Sequence, residues 1–147
     1  MLATQHVLEV HGALEVREAL HIVLTHQRAK TLKIRLYTQD AVRIPYPEWL
    51  SIQQVRHLAD PQFDLGEPMR GPFIAERTDL AASVTAGVKL AKISRILPSV
   101  IAASVPAVHV GKFPHIIMVT ANDVLDYDTE SASKLQRVAS AKVPLDG

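Results

Sequence analysis

Cysteine is absent from all 147 residues of the chain. Its absence excludes disulfides, thiolate nucleophiles and zinc sites that use cysteine ligands. An excess of one charge is also missing, because 16 basic and 15 acidic side chains leave a formal net charge of +1. The basic side chains are scattered, whereas a nucleic-acid-binding surface usually concentrates them on one face. We therefore expect no nucleic-acid partner.

Long apolar runs are rare as well. The longest spans Pro98 to Val110, and prolines and polar residues interrupt it well short of the roughly 20 residues that a membrane-spanning helix requires. Residues 1–10 lack the basic start of a secretory signal peptide. Together with the lack of cysteine, these features predict a cytoplasmic protein without a membrane partner.

The composition that remains is that of a globular domain. Apolar residues make up 48% of the chain and charged residues 21%. A length of 147 residues matches one domain and is sufficient to bury a core. We predict a single domain over residues 1–147. Residues 142–147 are expected to begin a linker to a further C-terminal domain, because Pro144 and Gly147 interrupt regular structure.

Helices are predicted where apolar residues recur at helical spacing. They cover residues 13–27, 47–60, 78–97 and 129–141. Pro47 suits the first turn of the second helix, in which Trp49 is expected to face inward. Thr78 is the predicted N-cap of the third helix, which Pro98 terminates. Residues 22–25 also fit a strand that follows a shorter first helix.

Strands are predicted where apolar and polar residues alternate or where small apolar residues run together. The predicted strands are residues 31–38, a continuation through Val42 and Ile44 to Pro45, and residues 99–105 and 116–119 with residues 108–110 between them. The proline- and glycine-rich segment 61–77 is predicted to be a loop. Strands that alternate with helices predict an α/β domain, with α+β as the alternative, in which helices pack on a mixed sheet.

The seven histidines are the candidate metal ligands. Two pairs are five residues apart, which places the rings of each pair on different faces of a helix; they are His6/His11 and His21/His26. His109 and His115 flank a loop in which they could converge, although two hydrogen-bonded or surface histidines are the favoured interpretation. We predict no metal site and no cofactor.

Two other features offer polar groups to a ligand. The predicted helix start at Thr78 and Asp79 presents backbone amides that can bind an anion weakly, although no phosphate-loop pattern precedes it. Acidic residues follow Asp123 at spacings that suit a cation or an acid–base pair, although a solvated acidic turn is the simpler interpretation. The candidate ligand-binding residues are therefore Thr78, Asp79, His109, His115 and Asp123, and no catalytic residue is predicted.

Three stretches of the chain resemble the N-terminal region of bacterial GTP cyclohydrolase II proteins, especially the alphaproteobacterial kind. They are Ile44–Leu50 with Val55–Pro61, Val88–Pro98, and Asp123–Tyr127 with Leu135–Leu145. The resemblance covers roughly residues 42 to 145 and identifies the chain with a degenerate, dihydroxybutanone-phosphate-synthase-like region. It implies a place in riboflavin biosynthesis. The family enzyme holds zinc through three cysteines, and the synthase uses an acidic loop for magnesium and sugar phosphate; this chain has neither feature.

The role implied by the resemblance is that of a non-catalytic accessory domain, which docks on, oligomerises or stabilises a cyclohydrolase catalytic domain in cis or in trans. The chain is not expected to be an enzyme on its own. One alternative is a self-contained ligand-binding protein or hydrolase that uses segment 61–77 as a lid and His109, His115 and Asp123 as polar groups. Another is a homo-oligomer that associates through the helices predicted at 78–97 or 129–141.

Overall fold

The computed structural model describes residues 20–66, 71–110 and 117–136. The elements in chain order are β1 (His21–Thr25), α1 (His26–Thr31), β2 (Ala41–Pro45), α2 (Ile52–Ala59), a 3-10 turn (Pro61–Phe63), α3 (Ala82–Ile93), β3 (Ser99–Ala102), α4 (Ala107–Val110) and α5 (Ala121–Ser133). No helix within these ranges is long and apolar enough to cross a membrane.

The three strands form one antiparallel sheet in the order β2-β1-β3. Ile22, Val23 and Leu24 of the central strand β1 are completely buried because both faces of the sheet are covered. The helix predicted over residues 13–27 is wrong for His21–Thr25, where the strand alternative is confirmed. β-branched side chains at three of these five positions favour an extended backbone.

Helices cover the two faces of the sheet with separate apolar clusters. Ile22 and Leu24 pack with Leu58 of α2 on one face, and Val23 packs with Val88 of α3 on the other. The predicted architecture of helices on a sheet is therefore confirmed. Both strand pairings among the described residues are antiparallel, so the apolar run of β3 reflects helices on its two faces and not the parallel or mixed setting expected from the sequence.

The structure differs from two predictions because α1 and α3 each end in a Schellman motif. In this motif the backbone turns through a left-handed residue. Lys33 has φ 58° after α1, and Ile34 N–H donates to Ala29 O at 2.9 Å. Arg95 has φ 56° after α3, and Ile96 N–H donates to the carbonyl oxygen of residue 91 at 3.1 Å. The strand predicted at 31–38 is therefore wrong, and the third helix ends at residue 93 instead of 97.

Helix α2 begins five residues later than Pro47 predicts. Ser51 is its N-cap: Ser51 Oγ accepts a hydrogen bond from Gln54 N–H at 3.3 Å, and Ser51 N–H donates to Gln54 Oε1 at 2.8 Å. Trp49 lies before this capping box, is 57% exposed and stacks on Phe73 with ring centroids 5.9 Å apart. Its predicted inward orientation is therefore wrong, whereas the predicted helix end before Pro61 is confirmed.

Tyr46 shapes the connection between β2 and α2. Its hydroxyl donates a hydrogen bond to Leu50 O at 2.8 Å, and Leu50 N–H donates to Pro47 O at 3.0 Å. Burial raises the pKa of Tyr46 above its ordinary value of 10.0. These bonds hold residues 46–50 in a turn, which is why the helix signal at Pro47 is not realised.

Replacing Ser51 by alanine is expected to lower the free energy of unfolding by about 1 kcal/mol, because the Gln54 N–H in the first turn of α2 loses the side-chain oxygen that caps it. Urea unfolding of the Ser51→Ala chain measures this change. Ser94→Ala is the matched control, since Ser94 is the C-cap of α3 and its described hydrogen bonds are made by the backbone N–H. Equal losses in the two variants would contradict the capping role.

The remaining predicted elements differ in type or extent. Residues 108–110 lie in the short helix α4 and not in a strand, and Ile117–Val119 has no regular structure. The last predicted helix begins earlier, because Thr120 Oγ1 accepts a hydrogen bond from Asp123 N–H and caps α5. Five stretches covered by the predictions lie outside the described residues: 13–19, 67–70, 111–116, 137–141 and the linker at 142–147.

Candidate functional site

Thr78, a predicted ligand-binding residue, belongs to a polar cluster beside β2. Its Oγ1 accepts a hydrogen bond from Arg43 Nη2 at 3.2 Å. Arg43 also forms an ion pair with Glu76, whose Oε1 accepts a hydrogen bond from His21 Nε2 at 2.9 Å. Because these groups bind one another, the cluster holds segment 71–78 against the sheet. Thr78 is not the N-cap of α3, which begins after Ala81 without a side-chain cap.

Asp79 lines a cavity of about 390 Å³ next to the start of α3. Asp40 shares the lining, so two carboxylates face the same space and do not favour the anion expected at this helix start. Tyr37, also in the lining, makes cation–π contacts with two guanidinium groups, with Arg35 5.6 Å and Arg77 5.0 Å from its ring centroid. The cavity suits a small polar or cationic ligand.

The other predicted site residues are Asp123, His109 and His115. Asp123 lies in the first turn of α5 and does not line the cavity beside Asp79. His109 lies in α4, and His115 is outside the described residues. The convergence of Asp123, His109 and His115 on one ligand stays a prediction. Within the described ranges, no group of three His, Asp or Glu side chains could hold a metal ion.

Arg28 organises a site that the sequence did not suggest. Its side chain is 7% exposed and forms a bidentate ion pair with Asp64, with N···O distances of 2.6 and 2.7 Å. Its Nε donates to Leu58 O at 2.7 Å, and Nη2 donates to His57 O and Asp60 O at 3.4 and 3.3 Å. One buried guanidinium of α1 therefore fixes the end of α2 and the following turn to α1.

A second cavity, of about 740 Å³, lies between this fixed segment and β3. We call it the edge cleft. Its first wall includes Gln53 and Arg56 of α2 and Phe63 of the 3-10 turn, and its second wall includes residues 96–97 and 99–101. The ring of His57 stacks on Phe63 with centroids 3.9 Å apart and an interplanar angle of 14°. The cleft combines apolar walls with a cation and an amide, a mixture typical of binding sites.

The residues of the edge cleft were not predicted as a site because they come from segments some 40 residues apart in the chain. A local signal was nevertheless present. The serine and glutamine of the capping box define where α2 begins and hence which of its faces carries Gln53 and Arg56. The position of that face relative to β3 depends on long-range packing, which no local motif encodes.

Comparison with known proteins finds a relative of the chain. GTP cyclohydrolase-2 of Azospirillum brasilense is 32% identical over 152 residues, which include 99% of this chain. The chain spans 38% of the length of that relative. No protein-family model matches the chain, and no solved structure matches it significantly. The similarity supports the resemblance to GTP cyclohydrolase II and leaves the likeness to dihydroxybutanone-phosphate synthase untested.

Proposed function

We propose that the chain is a non-catalytic accessory domain of a GTP cyclohydrolase-2-related protein of riboflavin biosynthesis, where it docks on and stabilises the part that acts on GTP. The extent of the similarity carries the proposal: it includes 99% of this chain and 38% of the relative. An activity of the whole relative is therefore expected to draw on residues that have no counterpart in this chain.

The residue content of the chain supports a non-catalytic role. The resemblance implies a zinc site built on cysteines, and the sequence contains no cysteine. The described residues also contain no cluster of three His, Asp or Glu side chains that could take the place of those ligands. The hydrolytic step is therefore assigned to other polypeptide, in cis or in trans.

Exposed apolar side chains support a docking role. Ile96, Val108, Ile117 and Met118 are each more than 60% exposed. Large apolar side chains are costly to leave in water, and exposed groups of them commonly mark surfaces that contact another protein. All four residues follow α3 in the chain, as β3 does. The surface around these exposed side chains is the expected contact region.

Mixing the 147-residue chain with the separately expressed remainder of the relative tests the proposal. We expect the chain alone not to hydrolyse GTP, the two polypeptides to sediment together, and the complex to unfold at a higher temperature than the remainder alone, because binding to the native state stabilises it. The remainder heated with an unrelated globular protein is the control. GTP hydrolysis by the chain alone, or separate sedimentation, would refute the accessory role.

The cavity volume favours a second candidate, a self-contained ligand-binding protein. About 740 Å³ falls within the range of small-molecule sites, and Phe63, which belongs to the predicted lid segment, lines the cavity. This function predicts that a nucleotide or sugar phosphate raises the unfolding temperature of the chain in the absence of any other polypeptide. The accessory role predicts no such shift.

A further inference from the structure

The hydrogen bonds at the two ends of β1 show which of its residues face β2. Tyr46 N–H donates to Leu20 O at 2.8 Å, and His26 N–H donates to Asp40 O at 3.4 Å. In an antiparallel ladder, residues alternate between those that bond to one neighbour and those that bond to the other. The even-numbered residues of β1 therefore bond to β2, and the odd-numbered residues bond to β3.

This alternation fixes the orientation of the backbone in β3. Val23 and His21, the odd-numbered residues, are paired with Val100 and Ala102. Ile101 lies between these two bonded positions, so its N–H and C=O point away from β1. The outer edge of β3 thus presents a donor and an acceptor at Ile101. It carries no charged side chain of the kind that usually protects an edge strand.

The outer edges of β2 and β3 differ in what lies along them. Glu76 N–H donates to Arg43 O at 2.9 Å, so segment 71–78 makes along β2 the kind of bond that a further strand would make. Within residues 20–66, 71–110 and 117–136, no strand lies along the outer edge of β3. Instead, that edge forms one wall of the edge cleft, which includes Ser99 and Ile101.

The opposite wall of the edge cleft offers side chains that complement an incoming peptide. In the described part of the chain, the side chains of Gln53 and Arg56 have no hydrogen-bond or ion-pair partner. Arg56 is exposed and favours a carboxylate, and the amide of Gln53 can bond to a peptide group. Phe63 and Ile101 supply apolar surface on the two sides of the space.

We propose that the edge cleft binds an extended segment of the cyclohydrolase part of the protein, which adds to β3 as a fourth strand. Its backbone bonds to Ile101, its apolar side chains pack on Phe63, and an acidic side chain pairs with Arg56. The inference rests on the proposed function. It assigns the occupant to the polypeptide that makes up the rest of the relative, of which this chain spans 38%.

Residue-resolved hydrogen exchange tests the strand addition. We expect the amide of Ile101 to exchange at least about tenfold more slowly when the 147-residue chain is bound to the remainder of the relative than when it is alone. The amide of Val100, which already bonds to β1, serves as the internal reference. Protection of Ile101 in the chain alone would overturn the proposal, because another part of the chain or a second copy would then occupy the edge; sedimentation distinguishes these two occupants.

Charge reversal tests the acidic contact. Arg56→Glu is expected to weaken binding of the cyclohydrolase polypeptide about tenfold or more, because a like charge then faces the carboxylate. Lys92→Glu is the matched control: Lys92 is also an exposed cation in the last turn of a helix, lies outside the cleft lining, and is expected to leave the Kd unchanged.

The outcomes separate this inference from the proposed function. If the two polypeptides form a complex but Ile101 exchange and the Arg56→Glu affinity are unaltered, the strand addition is wrong and the accessory role stands. If no complex forms, the accessory role itself fails, and the inference fails with it.

Discussion

The Arg28→Ala variant is expected to lose about 3 kcal/mol of unfolding free energy, because a 7%-exposed guanidinium satisfies a carboxylate and three carbonyl oxygens at once. Removing it leaves the carbonyl of Leu58, at the end of a buried helix turn, without its charged donor. The Asp64 side chain is 27% exposed, so water compensates part of the loss, and the expected cost lies at the lower end for a broken buried pair. Urea unfolding measures the change.

Two further variants sharpen the Arg28 result. Arg28→Lys keeps the charge but replaces the planar fork by a single ammonium, so most of the stability loss is expected to remain. Lys30→Ala, in the same helix at an exposed position, is expected to change stability by less than about 0.5 kcal/mol. Full recovery in Arg28→Lys would show that charge alone matters and that the geometry of the fork does not.

Replacing Leu24 by alanine is expected to lower the free energy of unfolding by about 3–4 kcal/mol. Leu24 is completely buried in the central strand, where it packs in the cluster that joins the sheet to α2. The loss combines the transfer of the removed atoms with the cavity that they leave, and the cavity cannot collapse because strands flank Leu24 on both sides. Urea unfolding with an unchanged m-value would assign the effect to native-state packing.

The same substitution at an exposed site is the control for Leu24. Leu65 is 96% exposed, so Leu65→Ala removes identical atoms that are already in water and is expected to change stability by less than about 0.5 kcal/mol. Similar losses at Leu24 and Leu65 would contradict the position of β1 at the centre of the core.

The spacing of apolar residues predicted the sheet most accurately where the apolar positions are the buried ones. Val42 and Ile44 lie on either side of the polar Arg43 and are 1% exposed, so the strand predicted there is confirmed. At residues 21–25, helical spacing and β-branched content pointed to different structures, and tertiary burial on both faces decided for the strand. Layer type and the position of β2 were thus accessible from the sequence, and the central strand was accessible as an alternative.

The failed predictions have local physical causes. Residues 31–38 alternate like a strand, but Lys33 adopts a left-handed conformation without being glycine, and the buried Ile34 is the apolar residue that completes a Schellman motif. At α2, the capping box at Ser51 and Gln54 was legible in the sequence and outweighed Pro47. Such patterns predict the ends of a helix only when all candidate start and cap residues are compared with one another.

The candidate site was less accessible than the fold. Arg28 and Asp64 are 36 residues apart, and Arg43 and Glu76 are 33 apart, so neither pair forms a recognisable local motif. Thr78 and Asp79 were chosen for a helix start that lies three residues further along the chain, which is why their predicted roles did not carry over. Side chains that meet through tertiary packing require the fold before their chemistry can be assigned.

The bonds of Arg28 have a consequence for association. They hold the end of α2 and the 3-10 turn in place before any partner arrives, so one side of the binding surface is preorganised. The conformational entropy lost on association is then borne mainly by the incoming segment. Stiffening that segment should therefore tighten the complex mainly through slower dissociation, whereas loosening Arg28 should weaken binding without altering a single contact atom.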